Sequence, residues 1–91
     1  MKIYNIYFGN VHTEEEFYQA IIHAMDFPDW CGKNPNAIWD MMYMDVEYPA
    51  HIFLHDTDKL PSFPKEDYAI LLRIFEKART TYKVELKVTC I

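Results

Sequence analysis

Three groups of residues are of types that could do chemistry. Asp56-Thr57-Asp58 directly follows a short apolar run, where phosphoryl-transfer enzymes place an Asp-x-Asp pair to hold a metal and attack phosphate. Such enzymes need a larger sheet and further Lys and Asp residues beyond the pair, and only 33 residues follow Asp58. The two acids are therefore expected to be loop acids, with a small metal-dependent enzyme as the outlying reading. His51 and His55 stand four apart, a spacing that brings two imidazoles together on a helix. In a strand it separates them by about 13 Å, too far to share a metal. His12 and His23 have no companion at ligand spacing, so all four histidines are expected to be packing or surface residues. The chain has no Ser/His/Asp order and no nucleophile elbow, and its two glycines, Gly9 and Gly32, cannot form a phosphate cradle. Neither catalysis nor a metal or other cofactor is expected.

The third group is the segment from Pro28 to Tyr48. Helical spacing places Asn36, Asp40 and Tyr43 on one face and leaves Ile38, Met41 and Met42 to pack inward. Trp30, in the preceding loop, and Asn34, at the helix cap, would border that face. An acid among aromatics and amides suits the docking of arginines, because the carboxylate accepts charge-assisted bonds while the aromatics exclude water. The competing expectation makes Asp40 a solvated helix acid and both tryptophans core; Trp39, with apolar neighbours along the helix, is expected to belong to the core.

Charge is divided along the chain. Residues 1 to 58 carry ten acids against Lys2 and Lys33, a balance of −8, whereas residues 59 to 91 stand at +3. Between Asn34 and Asp58 there is no Lys or Arg, but there are Asp40, Asp45, Glu47, Asp56 and Asp58. Such a field repels phosphate backbones and attracts basic surfaces, which disfavours nucleic acid and favours a basic protein partner. By charge alone these acids could equally serve only solubility.

The elements that must position these residues follow from spacing. Lys2 to Phe8 reads as a strand ending at Gly9 and Asn10. Thr13 and Glu16 form a capping box, Glu14 to Glu16 complement a helix dipole, and Phe17, Ile21 and Ala24 continue a helix that must stop before Pro28. Asn34 and Pro35 cap and open a second helix, to about Tyr43. His51 to His55 fits a strand buried within a parallel sheet. A third helix, from about Pro64 to Arg79, carries Tyr68, Leu71, Leu72, Phe75 and Ala78 on one face and Ile70 and Ile74 on a second stripe. Tyr82 to Ile91 alternates as a half-exposed final strand. The order implies an α/β fold, a small three-stranded parallel sheet with helices joined by right-handed crossovers, in one domain over residues 1–91. No apolar run reaches the roughly 18 residues of a membrane span, and no secretory signal opens the chain, so a cytoplasmic protein without membrane contact is expected. Cys31 and Cys90 are expected to be reduced thiols, and Cys31, in the loop, could be exposed enough to form adventitious disulfides.

The run from Phe27 to Asp40, FPDWCGKNPNAIWD, followed by Val46-Glu47-Tyr48-Pro49, resembles the barstar family of ribonuclease inhibitors in order and register. The similarity extends less specifically to the helix of Phe75 and the last strand. It implies the same three-stranded parallel sheet with packed helices. It also implies an inhibitor that binds a basic bacterial toxin, a ribonuclease, as an immunity protein, the chain being a monomer or one half of a 1:1 heterodimer. Asp40 would enter the nuclease active site in place of a substrate phosphate. Trp30 would pack on the catalytic histidine, and Gly32 and Asn34 would shape the loop. The family pattern is not kept at Asn36, where it has a second contacting aspartate, at Lys77, where it has a contacting glutamate, or at Asp45, beside Tyr43 and Met44, where it has an interface tryptophan. These positions are expected to touch the partner and to adapt the surface to a related but different toxin. A toxin that is not a ribonuclease, bound by the same acidic surface, is the alternative.

Overall fold

The computed structural model describes residues 1–62 and 64–91. Strand β1 (Lys2–Tyr7) leads to helices α1 (Glu14–Ala24) and α2 (Pro35–Met44), then to β2 (Ala50–His55). A single 3-10 turn at Thr57–Lys59, helix α3 (Pro64–Thr81) and β3 (Leu86–Cys90) complete the chain. The strands lie side by side in the order β1-β2-β3, all parallel, with Lys2 opposite Ala50 and Ala50 opposite Leu86.

Local sequence explains the helix ends. Thr13 Oγ1 accepts from Glu16 N at 3.1 Å while the Glu16 carboxylate accepts from His12 N at 3.0 Å, so two backbone donors that the helix leaves orphaned are satisfied reciprocally. Helix α1 stops at Met25 because Asp26 takes a left-handed φ of 57°. Asn34 caps α2, with Pro35 in the first turn.

Parallel strands added in one direction by right-handed crossovers receive all their helices on the same face of the sheet. Tyr4, Ile6, Ala50, Ile52, Leu54 and Leu86 are buried on that face, in one core with Phe8, Phe17, Ile21, Leu71 and Phe75. The opposite face is open. Strand β2 therefore alternates, with His51, Phe53 and His55 only partly covered, which corrects the expectation of a strand buried on both sides.

Two further expectations change. The last strand is shorter than its alternation suggests: Lys83 adopts a φ of 52°, and Tyr82 turns back onto α2 instead of extending along the sheet. On α3, Leu72 is exposed at 36%, whereas Asp67 is buried one turn before Leu71 and accepts a 2.7 Å hydrogen bond from the Tyr18 hydroxyl. Burial and that carboxylate push the Tyr18 phenol far up. Among the described residues, no helix is long and apolar enough to cross a membrane.

Candidate functional site

The loop before α2 is pinned at both ends. Phe27 is buried and donates its N–H to Ile22 O at 3.0 Å, while Cys31, also buried, closes a turn by donating to Pro28 O at 2.9 Å. Asp29 and Trp30, between the two anchors, face outward, and Trp30 is 72% exposed. The burial of Cys31 corrects the expectation of an exposed thiol in this loop; Cys90 is the exposed one. Burial pushes the Cys31 thiol up, and the nearby charges of Asp45 and Asp40 add to it. The loop thus lies against the acidic end of α2.

Gly32 and Asn34 fix where the helix begins. Asn34 Oδ1 accepts from Ala37 N at 2.9 Å. A Cβ at position 32 would stand 2.8 Å from Asn34 Nδ2 and 3.2 Å from Ala37 Cβ, so the glycine is required by close approach of the cap. Both residues shape the loop from within; the Asn34 oxygen is committed to the helix. Lys33 reaches back to Glu15 at 2.8 Å, lowering the Glu15 carboxyl.

Helix α2 buries Ile38, Met41 and Met42 and presents Asn36, Asp40, Tyr43 and Met44 to solvent, with Asp45 as its exposed C-cap. Tyr43 is 71% and Met44 63% exposed. Beyond the helix, Tyr48 donates its hydroxyl to Met42 O at 2.7 Å and Glu47 donates its N–H to Tyr4 Oη at 3.1 Å, tying the C-terminal end to the sheet. Burial pushes the Tyr48 phenol up to about 12. Among the described residues, the side chains of Asn36, Asp40 and Asp45 have no hydrogen-bond or ion-pair partner in the chain; the ion pairs join Lys33 to Glu15, Lys59 to Asp56 and Arg79 to Glu76.

Trp39 is half-buried and packs against the core without joining it, which corrects the expectation of a core tryptophan, and it stacks on Tyr82 with ring centroids 5.2 Å apart. Tyr43 lies 5.3 Å from the same ring. Burial, with the charge of Asp40 and the neighbouring Tyr43 phenol behind it, raises the Tyr82 phenol. Lys77 places its Nζ 5.1 Å from the centre of the Trp39 ring. The structure therefore brings Asp40 and Asp45 to the Trp30 loop on one flank, and joins Asn36 to Lys77 across Trp39, with Tyr43 against Tyr82, on the other. Tyr82 and Arg73, which also border this surface, were not singled out by spacing. Tyr82 reads as the first residue of a strand, and its stacking depends on a tertiary contact that no local pattern reports.

The other candidate chemistry lies elsewhere. Asp56 takes a left-handed φ of 61° and sits 3.6 Å from Lys59. His51 and His55 lie on the open sheet face, beside Thr89 and Asn5 respectively. Among the described residues, no group of three or more His, Cys, Asp or Glu could hold a metal ion.

Two comparisons bear on this arrangement. A family model named Barstar and described as barstar (barnase inhibitor) matches residues 1–91. A protein of Bacillus subtilis (strain 168) named "Putative ribonuclease inhibitor YrdF" is 26% identical over 74 residues, which cover 81% of each chain.

Proposed function

The chain belongs to the barstar family, and from that premise we propose that it is an immunity protein that occupies the active site of a ribonuclease toxin, with Asp40 in the place of a substrate phosphate. The observation that carries the proposal is an exposed carboxylate with no partner among the described residues, held on a capped helix beside exposed Tyr43 and Met44, with exposed Trp30 in the loop before it. A ribonuclease must gather cationic groups to bind the scissile phosphate. Those groups meet in Asp40 an anion that can accept their hydrogen bonds but has no bond to break. Because Asp40 has no bond to surrender among the described residues, its full hydrogen-bonding capacity is available to the partner. The aromatic border would keep water from the pair, and the acidic field from Asp40 to Asp58 would speed approach of a basic enzyme. Asn36 and Asp45, where the family pattern has other residues, would adapt the contact to a particular toxin.

The test is purification of the chain with its partner from the source cell, then titration of the partner's RNA cleavage. Cleavage should fall to background at one equivalent of the chain and return as RNA is raised, as expected for competition at one site. A bound partner without ribonuclease activity, or one that cleaves RNA equally well in the complex, would refute the reading.

A further inference from the structure

Between α2 and α3 runs a groove of about 490 Å³ whose floor is Trp39, Ile70 and Ile74, with Asn36 on its rim. Two cations, Arg73 and Lys77, stand over it one helical turn apart. The chain carries a net −5, yet no carboxylate lines the groove, and among the described residues neither cation is in an ion pair. Like charges four apart on a helix repel, so an anion seated between them would relieve that repulsion as well as pair with both. The stack on Tyr82 holds the Trp39 ring in place, so the floor is formed before anything binds.

Asp40 follows Trp39 in sequence and so lies about 100° further round α2. A partner that covers Asp40 reaches the groove with little additional contact. We propose that this groove receives an acidic side chain, Asp or Glu, of that same partner protein, whose surface then carries a carboxylate beside its basic cleft. The proposal rests on the reading of the Asp40 face as the partner-binding surface and adds the charge pattern of the partner. A folded protein can set one carboxylate into the groove and a basic residue against Asp40. A nucleic-acid strand cannot, because its continuous phosphates would have to pass Asp40 and Asp45.

The sign of the effect makes the test sharp. If the partner is basic throughout, adding negative charge to the chain tightens binding through the long-range field. If a carboxylate enters the groove, the same change weakens it. Affinity for the captured ribonuclease is measured by calorimetry for Lys77→Glu, Arg73→Glu and Lys87→Glu, the last making the same charge change on the open sheet face, with Lys77→Gln to keep most of the stem over Trp39. The expected result is a loss of at least about tenfold for Lys77→Glu and Arg73→Glu, a smaller loss for Lys77→Gln, and none for Lys87→Glu. Unchanged or tighter binding by Lys77→Glu and Arg73→Glu overturns the groove proposal. Asp40→Ala in the same series separates the two readings. If it weakens binding while the groove variants do not, the groove alone fails; if neither matters, or no ribonuclease is captured, the binding face fails with it.

Discussion

The molecule leaves two surfaces uncovered, and their exposed side chains are arranged in opposite ways. On the open face of the sheet the residues satisfy one another. His51 Nε2 lies 2.7 Å from Thr89 Oγ1 and its ring stacks on Phe53 at 4.0 Å, while His55 Nε2 lies 2.8 Å from Asn5 Oδ1 and its ring stacks on Tyr7 at 4.3 Å. Tyr7 and His55 are direct cross-strand partners. On the loop and outer face of α2, the hydrogen bonds run inward to hold the backbone, through the Asn34 cap and Tyr48, and among the described residues leave Asp40, Asn36 and Asp45 with free polar atoms. Exposure is common to both surfaces and distinguishes neither. What marks the α2 surface is rigid support beneath unpaired groups, since a partner that binds there does not first have to break contacts within the chain.

The contrast can be broken most directly at Asp40. Asp40→Ala is expected to weaken binding of the proposed ribonuclease partner by about 2–5 kcal/mol, a range drawn from buried charge pairs at protein interfaces, barnase–barstar included. Tyr7→Ala, a larger truncation on the sheet face, should leave calorimetric affinity unchanged. Equal losses from the two would abolish the distinction.

The support beneath the α2 surface can be tested without the partner. Asn34→Ala removes the cap and should lower the free energy of unfolding by about 1 kcal/mol in urea titrations. Gly32→Ala, whose new methyl would crowd Asn34 and Ala37, should destabilise through the same cap. The double variant should then lose less than the sum of the single losses. Strict additivity would show that the glycine serves some other contact.

On the sheet face the expected outcome is a loss of stability alone. His55→Ala removes a cross-strand stack and a hydrogen bond to Asn5, and should cost about 0.2–1 kcal/mol of stability with no change in affinity. The smallest effect concerns the thiols. With Cys31 buried and its thiol pushed up by burial and by Asp45 and Asp40, a disulfide reagent at pH 8 should modify Cys90 in the folded protein and reach Cys31 only when the chain unfolds. Prompt modification of both would place the loop further from the core than its anchors at Phe27 and Cys31 imply.

Much of the α2 surface was legible because its signals are local. Asn34 followed by Pro35 marks a helix start, and the spacing of Ile38, Met41 and Met42 against Asn36, Asp40 and Tyr43 decides which side faces out. Thr13 and Glu16 announce α1 in the same way, and Pro28 sets the limit it cannot pass. The misreadings share a cause. Leu72 fits an apolar stripe but lies beyond the reach of the core, and Tyr82 continues a perfect alternation until the left-handed turn at Lys83 takes it out of the strand. Cys31 lies in a loop, and loop residues are usually exposed; here it is one of the two buried anchors that push Trp30 outward.

By itself, then, the sequence determined which elements form and in what order, where α1 and α2 start, which side of α2 faces solvent, and the run of residues that carries the family. Those features depend on contacts within a few residues and on a period that any helix or strand must obey. Only the tertiary structure decided that one face of the sheet stays open, that Tyr82 braces Trp39, and that Arg73 and Lys77 meet Asn36 across a groove. Each of these joins residues tens of positions apart, and the order and hand of the crossovers brought them together.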